Sequence, residues 1–366
     1  MLVSAIIYHI MATTNSFRSR RALEAPSPPV IQSIAEIYEF RGKQTLYEKS
    51  APEVLDALRR KAAIESVDAS NRIEQVIASP ERVREIVDAG AAPVSRSEAE
   101  IAGYRDVLST IHASHPDIPI RPGYILQLHR DLMKYATGAT PGGQWKTVDN
   151  YIEATLPNGT KEVIFRPVSA FETPAAMDAL CEDFNAAWKS QPVNQLLILS
   201  GFVLDFLCIH PFSNGNGRMA RLFTTLLLYH SGFNVSRYVS IERLVERTSP
   251  SYYATLRASS ERWREGQHSL VPWWEYSLAT VLAAYRELDD RLETSAVKSK
   301  VDRVRLAVSN LPEDFSVSDL KTHCPGVSTP TIRVALRGLK EEGAVKLIKG
   351  GRKARWRRLR EGGLNG

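Results

Sequence analysis

Between Leu196 and Ile209 the chain is apolar at almost every position, with none of the alternation of a half-exposed strand, and so reads as a buried helix. Pro211 lacks the amide proton needed to continue it, which leaves His210 at the helix exit. Leu222, Phe223, Leu226, Leu227 and Leu228 then recur near helical spacing, so a second helix starts around Gly217 to Arg218 and closes between Tyr229 and Asn234. Similar patterns predict helices over Val30–Phe40, Pro52–Ile64, Ser97–Ser114 and Pro122–Tyr135 upstream. Downstream they predict loop and helix over Tyr238–Arg247, then helices over Ser251–Ser260 and Pro272–Arg291. A glycine turn at Gly142–Lys146 precedes two strand-like pieces between Val148 and Arg166, which flank Pro157-Asn158-Gly159-Thr160, and Asn-Gly is a strong hairpin signal. The fold class predicted is mainly α, with one small β-hairpin in this part of the chain.

A polar stretch, Thr294–Ser299, reads as a linker to a tail of different character. Residues 300–366 carry 15 Lys and Arg against 7 Asp and Glu, a net of +8 in a chain totalling +6, so residues 1–299 come to −2. The positive charge belongs to one module. Its predicted order is helix (Val301–Leu311), helix (Ser316–His323, N-capped by Ser316), a Pro325-Gly326 turn, helix (Thr329–Glu342) and a hairpin at Gly350-Gly351. At 366 residues, two or three domains are expected: a helical lead-in over 1–61, a core over 62–293 and the basic module over 300–360. Cys181, Cys208 and Cys324 show neither disulfide nor zinc spacing, which fits a reducing cytoplasm. Residues 1–11 are apolar but too short to span a bilayer and have no leading basic segment, so no membrane role is expected, and Met11 is a candidate start.

The chemistry concentrates in residues 210–221, His-Pro-Phe-Ser-Asn-Gly-Asn-Gly-Arg-Met-Ala-Arg. Gly215-Asn216-Gly217 can turn successive N–H groups inward, in front of a helix, as an anion nest. Arg218 and Arg221 share a face of that helix's first turn, where cations oppose its dipole by about 0.3–1 kcal/mol each unless an anion intervenes. A di- or triphosphate would resolve the conflict, and His210 beside it is a base candidate. Neither a Gly-x-x-x-x-Gly-Lys-Ser/Thr loop nor a His-Glu-x-x-His helix is present.

This stretch resembles the Fic-domain signature His-Pro-Phe-x-Asp/Glu-Gly-Asn-Gly-Arg-x-x-Arg, with a single departure at Asn214, and the resemblance runs from about Ala62 to about Tyr285. It implies a Fic helical core that transfers AMP from ATP to a Ser, Thr or Tyr hydroxyl of a protein, self-modification included. By this resemblance His210 is the general base and Phe212 an anchor beneath the loop. The amides of Asn214, Gly215, Asn216 and Gly217 hold the α- and β-phosphates, Arg218 clamps the β/γ oxygens and Arg221 the γ-phosphate. Asn214 replaces an acid that holds Mg²⁺, so metal binding is expected to be weak. Ser70-Asn71-Arg72-Ile73-Glu74-Gln75 resembles the Ser/Thr-x-x-x-Glu-Gly/Asn of Fic proteins with an inhibitory N-terminal helix, here near 66–78, and implies that Glu74 pairs with Arg221.

The resemblance further makes the hairpin a flap for the target segment, with Ile164, Phe165 and Arg166 nearest the nucleotide, and places Tyr252 and Ser260 at nucleotide-contacting positions. The tail's element order reads as a winged helix, with Thr329–Arg337 facing a DNA major groove and Arg352, Lys353 and Arg355 along a wing, protein contacts being the competing reading. The expected function is thus a protein adenylyltransferase restrained by Glu74, with a homodimer among its expected partners. The alternatives are a DNA-binding regulator whose Fic core is weak or inactive, and a Fic enzyme that moves or removes another phosphate-linked group.

Overall fold

The computed structural model describes residues 14–50, 52–136, 142–155, 161–351 and 354–359. The apolar N-terminus with Met11, the Pro157–Thr160 turn, Arg352 and Lys353 lie outside the described residues. The chain divides into two compact units, residues 1–288 and 289–366.

The first unit is helical. Its elements are α1 (Pro28–Ser50), α2 (Pro52–Ile73), α3 (Pro80–Ala89), α4 (Arg96–Ser114), α5 (Pro122–Leu132), an antiparallel hairpin of β1 (Ile152–Thr155) and β2 (Lys161–Phe165), then α6 (Thr173–Ser190), α7 (Gln195–Ile209), α8 (Asn216–His230), α9 (Ile241–Arg247), α10 (Ser249–Ser260) and the start of α11 (Val271–Asn310). Every residue of α7 from Leu196 to Ile209 is buried, which makes it the central helix, with α6 and α8 packed against it. Aromatic rings lock α7 to α8: Phe223 meets Phe206 and Phe202 edge-on at 5.0 and 5.6 Å between centroids. Full burial of each such side chain contributes about 1.5–3 kcal/mol. Asp205, on α7, is also wholly buried; it accepts from Ser16 N–H, Ser16 Oγ and Trp263 Nε1, tying the N-terminal segment to the core.

Several expected boundaries move. The domain boundary at 61/62 falls inside α2, because nothing between Glu53 and Ile73 breaks a helix, and the helix expected over 66–78 stops at Ile73. The linker expected over Thr294–Ser299 is helical, part of α11; its polar residues include no Gly or Pro, and polarity alone does not end a helix. α3 and α6 were not predicted, although Ser79 N-caps α3 ahead of Pro80, and Pro174 opens α6, both ordinary start signals.

In the second unit, α12 (Val317–His323) and α13 (Thr329–Glu341) join a three-stranded antiparallel sheet of β3 (Asp314–Ser316), β4 (Val345–Lys349) and β5 (Arg355–Arg358) in the order β3-β5-β4. Val304, Val308, Leu311, Phe315, Leu320, Ile332, Leu336 and Val345 form its core. Ser316 caps α12 in a full capping box with Asp319. α13 buries Ile332, Ala335, Leu336 and Leu339 and leaves Arg333, Val334, Arg337 and Lys340 exposed. Among the described residues the three cysteines are free and buried, and no helix is long and apolar enough to cross a membrane.

Candidate active site

His210 ends α7 in the left-handed region (φ 51°), its N–H still bonded to Phe206 O. Its Nδ1 lies 3.3 Å from Leu207 O, so that nitrogen carries the proton and Nε2 keeps its lone pair. Burial first, and the Lys146 charge second, push its imidazole down to about 4, against which Leu207 O and Glu74 act only weakly. The near-neutral value expected of a base is therefore absent from this arrangement, because the ring is desolvated beside a cation.

Phe212 is wholly buried and stacks on His129 at 3.6 Å between ring centroids. His129 Nδ1 accepts from Gly143 N–H, so its Nε2–H donates to Asn214 O (3.1 Å). Asn216 braces the turn from within, accepting from Phe212 N–H and donating to Phe212 O. The ladder of α8 begins at Met219 N–H to Gly215 O, so the amides of Asn216, Gly217 and Arg218 are the open donors of a helix start. The expected nest is narrower than four residues: Gly215 N–H is taken by Asn214 Oδ1 at 2.7 Å, an Asx contact that the short side chain makes locally.

Glu74 reaches that helix start. α2 closes in a Schellman motif, with Val76 N–H to Asn71 O and Gln75 N–H to Arg72 O, and Gln75 is left-handed at φ 60°. Glu74 Oε1 accepts from Arg221 Nη2 at 2.8 Å, while Ser70 takes Arg221 Nε on its Oγ and Nη2 on its carbonyl. Burial raises the Glu74 carboxyl, but the charge and hydrogen bond of Arg221, helped by Arg218 and His210, hold it below its usual range. A Cβ on Gly217 would overlap Glu74 Oε1, so the missing side chain lets the carboxylate approach.

Arg218 goes elsewhere than expected. It is 1 % exposed, its Nη1 sits 2.8 Å from Glu100 Oε2 without hydrogen-bond alignment, and its Nε is unpartnered among the described residues. Its side chain does not line the cavity; α8's winding turns it toward α4 while Arg221 turns toward α2.

The cavity holds about 560 Å³, within the size of small-ligand sites, and is lined by Glu74, Leu207, His210, Gly217, Arg221, the hairpin and α10. Ile164 and Phe165 line it, but Arg166 lies over the Tyr151 ring at 5.1 Å instead. Tyr252 touches the cavity but is 6 % exposed and packs on Trp273 and Tyr276. Its half-exposed neighbour Tyr253, missed in the sequence, offers the freer ring. Ser260 lines the wall while its Oγ donates to Arg257 O. A cleft of about 50 Å³ behind Arg221 is too small for a nucleotide.

For Mg²⁺ the residues present fit poorly. Asn214 carries no charge, its Oδ1 is bonded to Gly215 N–H and its carbonyl to His129, and no group of three or more His, Cys, Asp or Glu could hold a metal among the described residues.

A Fic/DOC family model matches residues 119–228, a shorter span than the resemblance suggested. A search of curated proteins finds no match. Among solved structures, a Fic family protein from Desulfovibrio desulfuricans G20 is similar at TM-score 0.61 and 21% identity, over 93% of this chain and 98% of that one. A Fic-domain signalling protein from Bacteroides thetaiotaomicron VPI-5482 gives 0.58 and 18%, over 71% and 97%. A Fic-1 fragment from C. elegans gives 0.52 and 18%, over 73% of each chain. Family model, shared fold and the histidine turn running into two arginines agree, and the chain therefore carries a Fic/DOC family domain, of a family that transfers phosphate-linked groups such as AMP onto proteins.

Proposed function

We propose that the protein is an adenylyltransferase that moves AMP from ATP to a hydroxyl of a protein target and is held closed by Glu74. The observation that carries this reading is the Glu74 carboxylate, bonded to Arg221 Nη2 and lying against Gly217 in the first turn of α8, in the cavity that His210 also lines. A terminal phosphate and the Glu74 carboxylate are chemical substitutes there.

With Glu74 withdrawn, Arg221 and the open amides bind the triphosphate, and Tyr253, Phe165 and Ile164 enclose the base. His210 Nε2 takes the proton of the target hydroxyl as its oxygen attacks the α-phosphorus and pyrophosphate leaves. The arriving anion also lifts His210 from about 4 toward the range where it serves as a base, so nucleotide binding prepares the base it needs.

Incubation with α-³²P-ATP tests the reading. Glu74→Gly should label itself or a target at least tenfold faster than wild type, and His210→Ala in that background should abolish the label. Label unaffected by His210→Ala, or a mass increment other than AMP, overturns adenylyl transfer; an unchanged rate in Glu74→Gly overturns the restraint. A second reading, DNA binding by the C-terminal unit read as a winged helix, is favoured by the exposed Arg333, Arg337 and Lys340 of α13.

A further inference from the structure

The carbonyls of the His210 turn are all held from one segment that lies outside the motif. Lys146 N–H donates to Pro211 O (2.8 Å), and Lys146 Nζ donates to Ile209 O (3.2 Å) and to Asn150 Oδ1 (2.8 Å). Asn150 Nδ2 donates to Phe212 O at 3.0 Å and reaches His210 O at 3.5 Å. Carbonyls 209, 210, 211 and 212 are thus tied back by two residues of the segment that leads into β1, with Asn216 sharing Phe212 O. Lys146 is 3 % exposed, a costly place for an ammonium unless it does something there. It sits where the carbonyls at the end of α7 are unsatisfied and the helix dipole is negative.

His210 needs such support. A non-glycine residue in the left-handed region costs about 1–2 kcal/mol, and among the described residues its ring hydrogen-bonds through one long contact, Nδ1 to Leu207 O. Among the described residues the charged and titratable groups around it are Lys146 and Tyr151 from the segment before β1, Glu74 beyond α2, Cys208 on α7, Arg221 on α8, and Tyr252, Tyr253 and Arg257 on α10; Asp149 and Arg264 act on Lys146 itself.

We propose that Lys146 and Asn150 are positioning residues for His210: together they hold the left-handed turn so that Nε2 faces the cavity, with the Lys146 ammonium set beside the ring. This rests on the general-base reading of His210. Because Asn150 is two residues from β1, the same brace ties the base of the hairpin to the base of the reaction.

NMR titration of ring-labelled histidine in the full chain, with His210→Gln to assign the signal, tests the electrostatic half without any substrate. Lys146→Met should raise the His210 midpoint by about one pH unit, while Lys146→Arg leaves it near the wild-type value. In the Glu74→Gly background, Asn150→Ala and Lys146→Met should each lower kcat by roughly tenfold to a hundredfold with KM for ATP unchanged, since they displace the base and not the nucleotide. An unmoved midpoint in folded Lys146→Met, or an unchanged kcat in Asn150→Ala, overturns the brace. If Lys146→Met does not fold, Asn150→Ala with Lys146→Arg carries the test. A shifted midpoint with no transfer by any variant leaves the brace standing and overturns the proposed function instead.

Discussion

At the scale of single residues, the contact of Glu74 with Arg221 rests on one half-screened ion pair and one residue in a left-handed backbone conformation. The Glu74 side chain keeps 36 % of its surface, so its bond to Arg221 is worth less than a fully buried pair, and a terminal phosphate can compete for the same guanidinium. Its carboxyl is held below its ordinary range, so the pair is intact above that range and is lost as pH falls through the lowered folded value; ATP affinity of the wild type should rise below pH 4.5 relative to Glu74→Gly, as calorimetry at matched ionic strength would show. Gln75 occupies a left-handed position where the related motif has Gly or Asn. Gln75→Gly should stabilise the end of α2 by about 0.5–1 kcal/mol, raise Tm and lower basal labelling, while Gln75→Val does the reverse.

Elements were legible where their signals are local. The run to Ile209 and the Leu226–Leu228 spacing gave α7 and α8 within about two residues. What the sequence hid was non-local: Lys146, Asn150 and His129 carry no motif, and only the fold carries them to the turn some 60 to 85 positions later. Arg218 and Arg221 look equivalent at three apart, yet opposite neighbours, Glu100 and Glu74, decide which one meets the cavity. On α13, if the exposed arginines meet phosphates, duplex affinity should fall steeply between 50 and 200 mM salt, and Arg333→Ala with Arg337→Ala should reduce the slope by about 2 in filter-binding or anisotropy titrations.

Over the whole molecule, histidine burial sets the response to acid. His112, His129, His210 and His268 are each pushed down to about 4, mainly by burial. Between about pH 6.5 and 4 the unfolded chain takes up protons that the folded chain refuses, so stability rises with pH across that window and Tm should drop steeply on acidification. Asp205 acts in the opposite sense, since burial pushes its carboxyl up to about 7 and its ionisation costs stability as pH climbs from 4 to 7. A Tm-versus-pH profile rising to a shoulder near neutrality is the expected sum, and a flat profile from 4 to 7 would contradict it.

The bare α-carbon at Gly217 sets a lasting constraint. A Cβ there would overlap Glu74 Oε1 and displace the carboxylate, and on the proposed reading the same methyl would stand before the open amides that take the nucleotide's phosphates. On that reading inhibitor and substrate share one opening, and a side chain at this position crowds both. Escape from restraint has to come through α2, and variants selected for constitutive activity should cluster at Ser70, Glu74 and Gln75 while Gly217 stays untouched.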